Sequence, residues 1–413
     1  MMILMIYIKN FYFKNKIYIV IFKLYNSIKK KLNIFFYKMD KQTDLIVPDK
    51  YFLIIDNKNG RKFVTTQMKK KNISKKTINL SFFEGKKLNT FWDVTNEDNY
   101  IEITSKEFTN ENQFEEEAIE YTNEKIIGNT NKEIYQSGNA QKLTDEEIKD
   151  LKEKTTNKDE LIQTILQNNT SMEKRTIFSQ EKIIKKKTQK YKHLIWVTPT
   201  SLFNIIETFF IIDSKMINSL RMDTIATMLI NTNFMEGKTL IFEETNNILT
   251  QAYCMRTPYT GKVVSLFREK ICNKNLNIFN LTRKQKSLIS FMDINCFLNK
   301  DAFGFEIFVK KFENYFSNLV ICLKFDIEIP KYFFNLLPFL KFSGNIIIFA
   351  KDKEVLVSID KILNENKLGI DTKIIETITR EYQILELRTH PMINNKGYSG
   401  YVLVSYKAAP LEQ

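Results

Sequence analysis

An α/β fold is predicted for this chain: an N-terminal small β-barrel or meander, a helical connector, then a larger layer built on a mostly parallel sheet. Three observations predict it. Residues 49–104 carry short β-rich runs broken by turn signals, and residues 140–192 read as short helices entering a lysine-dense stretch. From residue 193 onward, apolar strand-like runs alternate with helical ones, the pattern of a layered α/β sheet.

The 413 residues exceed one ordinary domain, and an apolar fraction of 43% lets each part bury its own core. A formal net charge of +14 and an isoelectric point near 9.2 suit a partner that carries phosphates. The bland alternative is a lysine- and asparagine-rich composition inherited from an AT-rich genome, so the clustering of charge matters more than its total. Cys254, Cys272, Cys296 and Cys322 form no CxxC pair, and His193 and His390 are the only histidines. Neither a disulfide framework nor a metal site is expected, and a reducing compartment is the simplest reading.

In chain order, residues 1–38 mix apolar runs with Lys9, Lys14, Lys16 and Lys23. A membrane-spanning helix needs about 20 mostly apolar residues without such interruptions. Met39 opens a segment that reads as an ordinary start, so residues 1–38 are expected to be an upstream extension or a gene-model artefact outside the fold and no membrane partner is expected, the alternative being a membrane-tethering or organelle-targeting segment. Residues 39–110 are expected to form a small β domain, a barrel or a meander, with Asn59-Gly60 closing a hairpin and Glu84-Gly85 a second turn. Residues 111–139 are acidic and poor in large apolar groups, which reads as a linker.

Residues 140–192 form the connector. Thr144 is placed to accept from the Glu147 amide while the Glu147 side chain reaches back to Thr144, and Leu143 can pack on Ile148. Leu161, Ile162, Ile165 and Leu166 recur at helical spacing before a polar stop at Asn168. Residues 193–413 are the predicted α/β domain, with strands at 193–197, 239–243, 261–267, 319–325, 346–350 and 401–406. Helices are predicted at 203–213, 221–231 and 353–367. The segments 380–388 and 400–407 are expected to close the sheet as an antiparallel edge hairpin.

Three blocks, QKLTDEEIKDLKEK, LIQTILQNNTSMEKRTIFSQEKIIKKKTQKY and REYQILELRTHPMINNKGYSGYVLVSYK, carry a family resemblance. They resemble, in order and spacing, the non-catalytic subunit of the eukaryotic tRNA (adenine-N1)-methyltransferase that modifies adenine 58 of the T loop. The resemblance implies a degenerate Rossmann-like class I methyltransferase domain behind the β-barrel. It also implies tRNA and a catalytic subunit as partners, in a two-plus-two heterotetramer whose catalytic chain holds S-adenosylmethionine. A nuclear location is expected.

In a working methyltransferase of this fold a glycine-rich turn follows the first strand, because only residues without a Cβ let the backbone approach the cofactor. Here Thr245, Asn246 and Asn247 stand at that turn. Catalytic relatives also place an Asp at the end of the fourth strand, where this chain has Leu323 or Lys324, with Asp326 displaced by two or three residues. No cofactor, catalytic or metal residue is therefore expected. The alternative is an active methyltransferase that uses Asp326 and a non-standard turn.

If the lysine run is helical, Lys182, Lys185, Lys186, Lys190 and Lys192 fall within about half the circumference, opposite Ile184 and Tyr191. They are the candidate RNA contacts, with a solvated face or a nuclear-import signal as the bland alternatives. Arg221, Arg380, Arg388 and His390 join them through the resemblance, although Arg380 could equally cap a strand and His390-Pro391 could simply shape a loop.

Overall fold

The computed structural model describes residues 44–109 and 141–409, except 75, 97–98, 156, 173–174, 176, 269–276, 300, 302–304, 384–388 and 394–396. The expected extension at 1–38 and the acidic linker at 111–139 lie outside the described residues, as do Cys272 and Arg388.

The first sheet contains β1 (Phe52–Asp56), β2 (Arg61–Val64), β5 (Thr90–Asn96), β6 (Asn99–Ile103) and β7 (Leu194–Pro199), while β3 (Lys70–Ile73) and β4 (Lys76–Asn79) form a separate hairpin. Its order is β2-β1-β7-β5-β6 and its pairings are antiparallel. The β1–β2 turn follows the expectation: Asn59 is left-handed, and Asp56 accepts from the amides of Lys58 and Gly60. A Cβ at Gly60 would meet the Ser74 hydroxyl and the Asp56 carboxylate, so those side chains would have to shift to admit one.

One expectation needs correcting. The run at 193–197, read as the first strand of the α/β layer, is instead the middle strand of the antiparallel sheet, pairing Leu53 with Thr198 and Trp92 with Ile195. An apolar strand satisfies its backbone on whichever edge is open, and the open edges here were those of β1 and β5. Among the described residues the order of this sheet runs from β2 at one edge to β6 at the other, and its pairings are those of a five-stranded antiparallel sheet.

The helices expected within 140–192 form. Helix α1 (Asp145–Lys154) starts with the reciprocal Thr144–Glu147 capping box, and α2 (Lys158–Gln167) buries Leu161, Ile162 and Ile165. Helix α3 (Ile177–Tyr191) carries the lysines. His193, which follows it, is buried, and its Nε2 has no hydrogen-bond partner. Burial, with Lys76 nearby, lowers its pKa from 6.5 to about 4. The unfolded chain thus binds a proton that the folded chain refuses, so stability is full above about pH 6.5 and falls toward pH 4. Denaturant midpoints measured across that window should drop, and His193→Gln should flatten the drop; a wild-type profile that stays level would refute the buried neutral imidazole.

The second sheet contains β8 (Lys238–Glu243), β9 (Lys262–Phe267), β10 (Ile289–Asp293), β11 (Phe316–Cys322), β12 (Leu340–Ala350), β13 (Gly369–Glu376) and β16 (Tyr401–Lys407). Its order is β10-β9-β8-β11-β12-β16-β13, parallel from β10 to β12, with β16 antiparallel to both of its neighbours. Successive residues point to opposite faces. Ile241, Val263, Val320 and Ile347 face α4 (Leu202–Asp213), α5 (Met222–Ile230) and α6 (Ile248–Arg256). Leu240, Val264, Ile321 and Ile348 face α7 (Ile329–Leu336) and α8 (Lys353–Glu365).

The expected closing hairpin is also corrected. β16 pairs with β12 and β13, whereas β14 (Tyr382–Gln383) pairs with β15 (His390–Pro391) in a ribbon of its own. Strands β10 and β13 were not expected: β13 is a largely exposed edge whose burial barely alternates, and β10 is half-buried throughout. β11 ends at Cys322, three residues earlier than predicted, so Phe325 stands exposed.

Candidate functional site: a crossed crevice and a basic helix

In open α/β sheets ligands bind outside the carboxyl ends of the strands, where the strand order reverses. That point lies between β8 and its neighbours β9 and β11. After β8 the chain turns through Glu244, Thr245, Asn246 and Asn247 into α6. Asn246 and Asn247 both take left-handed conformations, so asparagine adopts here what glycine would adopt freely. Thr245 is fully buried and donates its hydroxyl to Glu243. The Glu243 carboxylate also accepts from the amides of Leu249 and Thr250, taking the first-turn donors of α6 that would otherwise face a ligand. Burial raises the pKa of Glu243 while these hydrogen bonds oppose the shift. Asn246 donates across the crevice to the Met216 carbonyl at 3.0 Å.

A second element crosses the same space. Arg268, one residue past β9, reaches Glu244 at 2.7 Å and holds both carboxylate oxygens of Glu328 at 3.0 and 2.7 Å. Its guanidinium lies 5.3 Å from the Tyr332 ring centre and 5.9 Å from that of Phe242. Hydrogen bonds from Arg268 hold the Glu328 carboxyl below its usual pKa. One cation thereby ties together the exits of β8, β9 and β11. Sequence reasoning missed this triad; its only signal was an arginine immediately after a predicted strand.

The acid position is likewise taken up with structure. Leu323 is buried, and its carbonyl accepts from Asn218 at 2.7 Å. The Lys324 amide donates to Glu244 at 2.8 Å. Oδ2 of Asp326 accepts from the amides of Lys351 and Asp352 at 2.7 and 2.8 Å, which pins the loop ahead of α8, while the buried Oδ1 has no hydrogen-bond partner among the described residues. One carboxylate oxygen serves that loop, which weighs against the alternative of an Asp326-based enzyme.

Of the expected RNA contacts, Lys182, Lys185, Lys186 and Lys190 are exposed together on α3, whereas Ile184 and Tyr191 are half-buried. Lys192 does not join them, because it is ion-paired with Asp159 at 2.6 Å and its side chain is 18% exposed. Lys187 is half-buried, and burial lowers its pKa.

Arg221 is also placed differently from the expectation. It is 5% exposed and grips both oxygens of Asp223 and the carbonyls of Thr377 and Gly397. Arg380 is exposed just beyond β13, and His390 is exposed in the small ribbon with Nδ1 2.9 Å from the Pro391 carbonyl. Among the described residues, no cluster of His, Cys, Asp and Glu is arranged to hold a metal, and no helix is long and apolar enough to cross a membrane.

The fold is similar to that of an S-adenosylmethionine-dependent O-methyltransferase from Thermotoga maritima, with a TM-score of 0.52 and 13% identity over 90% of this chain and 98% of that one. That likeness places the chain in the Rossmann-like methyltransferase fold. In sequence it is 28% identical to the tRNA (adenine(58)-N(1))-methyltransferase non-catalytic subunit of Dictyostelium discoideum, over 89% of this chain and 80% of the relative. It is 23% identical to the subunit of the same name from Debaryomyces hansenii, over 66% of this chain and 65% of the relative. The mouse subunit of that name is 32% identical over a shorter stretch, 35% of this chain and 29% of the relative. Residues 45–300, more than half of the chain, match the family model described as Gcd10p, and the chain belongs to the Gcd10p family.

Proposed function

We propose that this chain is the non-catalytic, tRNA-binding subunit of a tRNA (adenine(58)-N(1))-methyltransferase, working beside a catalytic subunit that holds S-adenosylmethionine. The observation that carries this reading is the crossed crevice. Glu243 takes the helix amides, Thr245 puts a side chain where glycine would leave space, and Arg268 spans the mouth between Glu244 and Glu328. These residues do not fit S-adenosylmethionine, and no methyl-transfer step runs through this chain. The relatives' names support the same division of labour.

In this reading the sheet is retained as a scaffold, while the lysines of α3 hold phosphates and help present the T arm. The target adenine must leave its stack to reach a methyl donor, and a subunit that holds the surrounding RNA offsets part of that cost. A two-plus-two heterotetramer, a nuclear location and closure of the N-terminal sheet into a barrel within the assembly complete the proposal.

Two measurements test it. Co-expression with a candidate catalytic paralogue should yield N1-methyladenine in tRNA transcripts only from the mixture, and methylation by this chain alone would overturn the assignment. Titration of the full chain with S-adenosylmethionine should show no saturable binding in the micromolar range; micromolar affinity would restore the enzyme reading.

A further inference from the structure

The cleft between the antiparallel sheet and the short helix Arg283–Leu288 is lined chiefly by polar groups: Lys50, Thr65, Gln67, Asn277, Asn280 and Lys286, with Asp49 as its one acid. Its walls are fastened to each other. Asn280 accepts from the Tyr51 amide at 2.8 Å, and its Nδ2 donates to the Tyr51 carbonyl at 2.7 Å and to the Thr200 hydroxyl at 2.9 Å. Nearby, Phe63 packs on Phe209 with ring centres 5.6 Å apart. The cleft is therefore preorganised, and a ligand entering it does not have to assemble the site.

Lys50, Arg283 and Lys286 are exposed, and Arg283 precedes Lys286 by three residues on one helix face. Among the described residues none of the three is in an ion pair; Lys286 donates only to the Asn277 side chain, at 3.2 Å. On the other side of the same helix, Lys284 lies 5.9 Å from the ring centre of Tyr259, which is 59% exposed. Both parts sit where β9 and β10 begin, the opposite end of the sheet from the crossed crevice.

We propose that this cleft and the Tyr259–Lys284 pair form a second polynucleotide contact, in which the cations and amides hold phosphates and ribose and the ring stacks on a base. The inference rests on the tRNA-binding reading above and adds a surface separate in sequence from α3. Unpaired cations beside hydroxyl and amide groups suit a phosphodiester backbone, and an exposed aromatic face next to a cation suits single-stranded bases. An acidic protein segment would need the cations but not the ring.

The test uses the full chain co-purified with its catalytic partner and a tRNA transcript, over a series of salt concentrations. The triple variant Lys50→Gln, Arg283→Gln, Lys286→Gln should flatten the log–log salt slope by about 2–3 and weaken binding roughly tenfold or more. Tyr259→Ala should weaken binding by about fivefold or more without changing the slope, and Tyr259→Phe should bind like wild type. The substituted side chains are exposed, so unchanged thermal melts would exclude misfolding as the cause. A wild-type slope in the triple variant overturns the inference while leaving the tRNA reading intact; wild-type protein that does not bind tRNA overturns both. Loss of poly-glutamate binding with unchanged tRNA binding would reassign the cleft to an acidic protein and overturn the proposal.

Discussion

Alanine at Lys182, Lys185, Lys186 and Lys190 together is expected to weaken tRNA binding by about two to three orders of magnitude near 0.1 M salt. The log–log salt slope should flatten by about 3–4, because each neutralised phosphate contributes roughly 0.9 to it. All four ammonium groups stand exposed on α3, and alanine is the strongest helix former, so the helix survives the change. Lys192→Ala belongs to a different class, since its ammonium already pairs with Asp159; the expected loss is a partly exposed salt bridge, roughly 0–1 kcal/mol of stability. Filter binding over a salt series reads the first effect and denaturant unfolding the second. If the quadruple variant kept the wild-type slope, α3 would be no part of the RNA interface.

The second large effect concerns Arg221. Arg221→Ala is expected to cost about 2–3 kcal/mol of folding stability, because it removes charge-assisted hydrogen bonds from a buried guanidinium to a half-buried carboxylate and to two carbonyls. It would strand Asp223 and the carbonyls of Thr377 and Gly397. Partial burial of Asp223 opposes its charged form, yet hydrogen bonds from Arg221 and Thr377 prevail and hold its pKa down to about 2. A carboxyl depressed in the folded state stabilises the fold above its unfolded value of 3.8, and that contribution is lost as pH falls toward 2. Arg221→Ala should therefore remove an acid-sensitive component of stability. Were the variant instead as stable as wild type but weakened in tRNA binding with a flatter salt slope, Arg221 would return to the RNA-contacting set.

Local pattern was legible wherever the cause was local. The Thr144–Glu147 capping box spans four residues and appears as expected. Asn59-Gly60 makes the β1–β2 turn, and three predicted helices of the α/β layer form within a residue or two of their expected bounds. The absence of glycine from the turn at Thr245, Asn246 and Asn247 was also plain in the sequence, and both asparagines adopt the left-handed geometry there. Less was legible at the sheet edges. β13 carries the residues GIDTKIIE with mixed exposure, and an edge strand needs no strict alternation because only one of its neighbours has to be satisfied. The partner of β16 was misjudged for a related reason: the nearest strand-like segment in sequence was not the one beside it in space.

By itself the amino-acid order determined the capped helices and the interior strands, where the lysines cluster, and that the turn after β8 lacks glycine, since these follow from interactions a few residues long. Tertiary structure alone decided which sheet takes the strand after α3 and which cations stay available. Lys192 meets Asp159 across 33 residues, Arg268 meets Glu328 across 60, and Arg221 meets Thr377 across 156. A charge's role depends on whether folding brings it a counter-charge or a carbonyl, and no local pattern carries that information.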